Sequence, residues 1–423
     1  MTIPPATITN ERSRSSAPWI VAAFLLFGAT LAMRFPGVVM HESLVRYDPG
    51  ASYSDWYPPI MARTWAWLNH LKPGTKPFFL IQMLLWWGGI GAISAALGRR
   101  QSHGAAALVL LVGVAPLWLG WATVILADAQ LASCLVGTAG LVAHWRLDGR
   151  PVPRWATALG VLLITYASFL SISAPFATII FALALFDWPR LPRLWSKWAA
   201  AAALIGAVLI LGPILDNSVL RASHKGVADA IPLQDRAGDT LQARLASLPV
   251  HANSSLRLWV GPHQPQADPP ADGPADIDAL AMHPNPAGQG LIAAAHLMAI
   301  SPLGWPICWL VVSAGLLWAG TGLGDPQSRL GRALALSACC MGISVPILSI
   351  ASDLRYHLWP MVAAALALIL LLDTRALDRR RSFIAGGILF AAIAIGTIAR
   401  LGAAPAVPVS PPHLASPVPS PTG

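Results

Sequence analysis

Charge is what this sequence has least of. Of its 423 residues, 11% are Asp, Glu, Lys or Arg, where a soluble domain carries about a quarter. That shortfall excludes an ordinary water-soluble globular chain. Cysteine is scarce as well. Cys134, Cys308, Cys339 and Cys340 all fall within apolar runs, which excludes a disulfide framework or a Cys-x-x-Cys metal site and leaves them as small packing residues. His41-Glu42 and the scattered His251, His263, His283 and His296 have no zinc-ligand spacing. No metal or cofactor is therefore expected. The net charge is +9, but the basic residues do not gather into one patch, so nucleic acid is not expected as a partner.

What the chain has is hydrophobic length. Apolar residues make up 55% of it and the mean hydropathy is +0.59. Apolar runs of roughly 18–25 residues put it in the membrane class. The expected fold is all-α and polytopic, with about eleven spans near 17–37, 77–98, 104–124, 128–145, 155–171, 174–188, 198–215, 291–319, 333–351, 356–373 and 383–401. Helix is required because the bilayer core offers no partner to an open backbone. One transmembrane domain over 1–401 is expected, with long loops at 38–76 and 216–290 and a proline-rich, extended tail at 402–423.

Charge sets the expected orientation. Arg99-Arg100, then Arg146, Arg150 and Arg154, then Arg190, Arg193 and Lys197, then Arg329 and Arg332, then Arg375 with Arg379-Arg380-Arg381 alternate with nearly charge-free turns. Under the positive-inside rule these basic turns and the N-terminus, with Arg12 and Arg14, are cytoplasmic. The first apolar run then reads as a retained helix. The 38–76 and 216–290 loops and the C-terminus face outward, to the periplasm in a bacterial inner membrane.

The chemistry-bearing stretch is 46–65. It packs Arg46, Asp48, Asp55 and Arg63 with Tyr47, Tyr53, Trp56, Tyr57 and Trp65 between two apolar runs. Asp55, just ahead of Pro58-Pro59, suits a helix cap. It equally suits a general base held at the membrane surface by an interfacial helix carrying Trp65 and Leu68 on one face. Asp128 sits where two apolar runs meet. It is either a solvated turn carboxylate or a second acid in the site, because a carboxylate deeper in the bilayer needs a partner or a cavity. Arg355 and Tyr356 open a late span, either as an anchor in an aromatic belt with Trp359 or as a phosphate-binding fork. Arg46 and Asp48 suit a local pair or a substrate contact.

These residues carry a resemblance. Asp55-Trp56-Tyr57-Pro58-Pro59, followed by a Trp-containing helix and by Phe78-Phe79-Leu80-Ile81-Gln82-Met83-Leu84-Leu85-Trp86-Trp87, resembles the Asp-Trp-His-Pro-Pro group of bacterial GT-C class membrane glycosyltransferases. Ala127-Asp128-Ala129-Gln130-Leu131 is similar to that group's Lys-Asp element, and Asp353-Leu354-Arg355-Tyr356 to its late Arg-Tyr element. The sequence departs from the pattern at Tyr57, where the group has His, and at Ala127, where it has Lys. Ser171-Ile172-Ser173 stands where an Arg-His-Asn-like element is expected.

The resemblance implies transfer of a sugar from a polyprenyl-phosphate donor to an envelope glycan, lipid or protein acceptor at the outer face. It makes Asp55 the base and Asp128 its assistant. From their own chemistry, Arg355 and Tyr356 are the candidates to meet the donor phosphate, and Arg46, Asp48, Trp56 and Tyr57 the candidates to bind substrate. A flippase or transporter, or a silent envelope scaffold, are the competing classes. A transporter needs polar residues spread through the spans, whereas here they collect near one rim.

Overall fold

The computed structural model describes residues 16–40, 43, 46–47, 58–186, 188, 194–215, 285–322, 324–348, 354–375 and 377–402. Asp48, Asp55, Trp56 and Tyr57 lie outside these residues, as do most of the 216–290 loop and the proline-rich tail. The described chain is helical: α1 Ala17–Arg34, α2 Ile60–Asn69, α3 Lys76–Arg99, α4 His103–Val114, α5 Pro116–Ala122, α6 Ala127–Arg146, α7 Arg154–Ser168, α8 Ala174–Leu185, α9 Leu194–Ile214, α10 Pro286–Ile300, α11 Pro306–Ala319, α12 Pro326–Leu348, α13 Leu358–Asp373 and α14 Arg379–Gly402. Six of these are long and apolar enough to cross a membrane: α1, α3, α9, α12, α13 (with the 3₁₀ turn before it) and α14. A seventh is added if the bent pair α4–α5 is one span.

Two of the expected spans look different in the structure. The 104–124 run bends by 55° between α4 and α5. Pro116 has no N–H to continue the ladder, and it holds Ala115 in a non-helical conformation. The 291–319 run is two helices. Ser301 caps a 3₁₀ turn at Pro302–Gly304, its hydroxyl accepting from Leu303 N, and Pro306 starts α11. Gly304 approaches the Ala299 backbone so closely that any side chain would clash. The α10 start touches the end of α1, and Trp305 packs beside Gly396, late in α14. Both ends of α10 are thus at one side of the molecule, and only α11 descends.

The helices α3, α6, α13, α12 and α8 form the core, with α1, α9 and α14 outside it. α6 is buried along nearly its whole length. It falls short of a typical span in apolarity because it carries Asp128, Gln130, Ser133, Thr138 and His144. Its packing against α3 is backbone on backbone. A Cβ on Gly89 would lie 2.3 Å from Val136 O, and one on Gly140 would lie 2.4 Å from Gly89 O. Small residues permit this approach, which in lipid replaces the missing hydrophobic drive.

One end of the bundle is basic. Arg99 Nε donates to Asp148 at 3.0 Å and its Nη2 to His144 O at 2.9 Å. Arg150 meets the same carboxylate at 2.7 Å, and Arg100 donates to Leu147 O. These bonds close the α3 and α6 C-termini against each other, since guanidinium donors satisfy the last carbonyls of a helix. The opposite end, the rim, carries buried Asp128, Arg46 and Arg355.

Candidate functional site

The rim is built around the connection into α6. Beyond α1 the chain turns at Gly37, whose φ of +103° suits glycine and whose position leaves no room for a Cβ beside Phe79 and Ile125. Val38 then forms a short parallel bridge with Val124. Val38 N donates to Thr123 O at 3.1 Å and Ile125 N to Val38 O at 2.9 Å. Ser43 Oγ donates to Ile125 O at 2.7 Å.

Behind this loop lies a chain of buried amides. Gln130 Nε2 donates to Gln82 Oε1 at 2.6 Å, and Gln82 Nε2 donates to Val124 O at 2.9 Å and to Ala122 O. Buried carbonyls outside a helix ladder need such partners. On the other flank, Arg34 Nε donates to Thr123 Oγ1 at 2.9 Å and Nη1 reaches Gly288 O at 3.4 Å. The 122–126 loop is therefore fixed from α1, α3, α6 and α10 together.

That scaffold places Asp128 in the first turn of α6, where the helix dipole favours a carboxylate. Asp128 is 8% exposed, so it is not a solvated turn residue. Its partner comes from the far end of the sequence. Arg355 Nε lies 4.0 Å from Asp128 Oδ2, an ion pair too long to be a hydrogen bond. Arg355 is 6% exposed and sits in the 3₁₀ turn Leu354–His357 that leads into α13. Its Nη2 donates to the Tyr356 hydroxyl at 3.1 Å, and its guanidinium stands 5.0 Å from that ring's centre. Both the anchor reading of Arg355 and the belt reading of Trp359 give way to burial. Trp359 Nε1 donates to Ser337 Oγ at 2.9 Å, and Ser337 donates to Ala177 O at 2.9 Å, which pins the turn to α12 and α8.

Against α3 stands α2, amphipathic as the sequence implies: Trp65 and Leu68 are buried while Trp67 is 64% exposed. Trp65 stacks on Phe78 at 5.2 Å, meets the Tyr47 edge at 5.0 Å and donates to Gly74 O at 3.0 Å. Arg46 is buried, its Nη1 3.4 Å from Met61 Sδ. Tyr166, on the last turn of α7, lies near Thr64 of α2 and within electrostatic range of Arg46.

Of the residues singled out from sequence, the described structure thus brings Asp128, Arg355 and Tyr356 together and places Arg46 in the α2 packing. Asp48, Asp55, Trp56 and Tyr57, and with them the Arg46–Asp48 pair, fall outside the described residues. Sequence reasoning missed Arg34, Gln82, Gln130, Thr64 and Tyr166 as rim-building groups. The available signal was a polar side chain inside an apolar run, which in lipid requires a partner. Among the described residues no group of three or more His, Cys, Asp or Glu is disposed to hold a metal ion. The chain matches no family model, no curated protein and no solved structure.

Proposed function

We propose that this protein is an integral-membrane glycosyltransferase of GT-C type. It moves a sugar from a polyprenyl-phosphate donor to an envelope acceptor at the rim. The observation that carries this reading is the Asp128–Arg355 pair: an acid and a guanidinium from distant parts of the chain, buried together at the end of the bundle opposite the basic turns. The reading includes eleven crossings, formed by α1, α3, α4–α5, α6, α7, α8, α9, α11, α12, α13 and α14. The basic turns are cytoplasmic and the rim periplasmic in a bacterial inner membrane.

In the step itself, Asp55 accepts the proton of the acceptor hydroxyl. The acceptor oxygen bonds to the anomeric carbon as the bond from that carbon to the phosphate oxygen breaks. Polyprenyl phosphate leaves with the electron pair, and the sugar inverts. Arg355, with Tyr356, meets the phosphate, since a guanidinium is a planar fork of donors that stays charged. Asp128 holds that guanidinium in place, a positioning role different from that of a second acid assisting the base. The buried Gln82 amide is spent on loop carbonyls and the Gln130 amide on Gln82, which disfavours a polar transport path there.

The test uses the purified protein with a panel of radiolabelled polyprenyl-phosphate hexoses and pentoses and an envelope lipid extract as acceptor. Asp55→Asn retains donor binding and loses transfer, by roughly a hundredfold or more for removal of a general base. Transfer by Asp55→Asn at the unsubstituted rate removes Asp55 from the mechanism, and donor binding by neither protein removes the reading itself.

A further inference from the structure

A second feature lies at the basic end, far from the rim. Among the described residues α14 packs chiefly on α11, and its apolar side chains Phe383, Phe390, Ile395 and Ile398 are exposed. Between α14, α11 and α13 runs an apolar cleft of about 180 Å³, lined by Leu316, Leu368, Leu372, Ser382, Gly386 and Leu389 among others. A Cβ on Gly386 would meet nothing within 4 Å, so this wall is open and not filled by a neighbour. The Ser382 hydroxyl on the same wall is buried and has no hydrogen-bond partner among the described residues. Such a group calls for a polar atom from outside the protein.

The mouth of the cleft is cationic. Arg381 clasps the end of α11: its Nη1 donates to Trp318 O at 3.1 Å and to the Thr321 hydroxyl, with the guanidinium 6.0 Å from the Trp318 ring centre. Arg375, Arg379 and Arg380 are exposed around it. The two acids nearby are engaged. Asp378 Oδ1 accepts from Arg381 N at 2.8 Å, capping α14, and Asp373 Oδ2 accepts from Gln327 Nε2 at 2.8 Å. The positive end of the α14 dipole points the same way. An apolar slot that ends in a basic turn at the membrane surface matches one kind of molecule, with an acyl chain and an anionic head.

We propose that the cleft between α11, α13 and α14 is a binding site for an anionic phospholipid: one acyl chain lies along Leu316, Leu368 and Gly386, the ester region meets the Ser382 hydroxyl, and the phosphate meets Arg379 and Arg380. The bound lipid fastens α14 to the bundle. This site is independent of the glycosyl chemistry at the rim.

The experiment places the full-length protein in nanodiscs of equal parts phosphatidylglycerol and phosphatidylcholine, and native mass spectrometry reads the lipid retained after detergent release. The unsubstituted protein retains phosphatidylglycerol in preference to phosphatidylcholine. The double variant Arg379→Gln/Arg380→Gln lowers that preference roughly thirtyfold, about fivefold for each arginine near the surface. Gly386→Leu fills the slot and releases both lipids. Equal retention of the two lipids by the unsubstituted protein overturns the proposal, as does a preference that survives the double arginine substitution. The arginines are exposed, so that variant folds even if Gly386→Leu does not.

Discussion

Asp128 and Arg355 form one buried pair on which both stability and the proposed chemistry rest. Each is buried, and a buried charge without its partner is costly, while replacing both partners together is much less so. Asp128→Asn and Arg355→Gln are each expected to lower stability by about 3 kcal/mol. The double variant recovers most of that loss, because the remaining groups are neutral. Thermal melting of the four proteins in one detergent measures it. Strictly additive losses would show that the two side chains do not interact. The double variant, although stable, is expected to transfer no sugar if the phosphate contact belongs to Arg355. Of this pair, the sequence displayed only two polar residues, each at the edge of an apolar run. Nothing in the local pattern joins them, because helices α7 to α12 and the turn that Trp359 and Ser337 hold lie between them along the chain.

At the scale of elements, two features decide whether helices form and how closely they pack. Asp325 precedes Pro326 at the start of α12, and its carboxylate accepts from Ser328 N at 3.0 Å. Burial works to raise its pKa, but hydrogen bonds from Ser328 and the charge of Arg100 outweigh it and hold the group below its usual value of 3.8. A folded pKa below the unfolded one gives stability that is full above the unfolded value and is lost as pH falls through the folded one. Asp325→Asn is therefore expected to cost about 1 kcal/mol or less at pH 7, on the scale of a helix cap. The gap to the unsubstituted protein should close below the usual carboxylate range. Melting temperatures recorded across that range test the sign, and a gap that widens in acid contradicts it.

The α3–α6 contact is the second feature. Gly140→Leu puts a side chain where the Gly89 backbone stands. The expected cost is about 3 kcal/mol or more, from overpacking with no room to relax, read as loss of monodisperse protein in detergent. Gly88→Leu, at an exposed position of α3 where a Cβ would meet nothing within 4 Å, serves as the control. That the glycines of these two runs face one another was not visible in either run alone, since each reads as an ordinary apolar helix.

For the whole molecule, the separation of an arginine-rich end from the rim that holds the buried Asp128–Arg355 pair is the organising fact. In the proposed orientation, a cysteine at Pro151 is labelled by an impermeant maleimide only after the membrane is permeabilised. One at Lys72 is labelled in intact spheroplasts. The background is a protein whose four native cysteines are replaced. The reverse pattern would invert the topology and place the rim in the cytoplasm.

The sequence by itself determined the helical class, the apolar helices long enough to cross a membrane and the gathering of arginines in alternate turns. Hydropathy and the positions of Arg are local properties, and the bilayer reads them residue by residue. The tertiary structure decided which polar groups meet. It bent the 104–124 run at Ala115, split the 291–319 run at Ser301–Trp305, and fixed the 122–126 loop through Arg34, Gln82 and Gln130. It also buried Asp128 against Arg355. Those outcomes depend on desolvation and hydrogen-bond satisfaction between segments far apart in the chain, and such couplings exist only once the helices have packed.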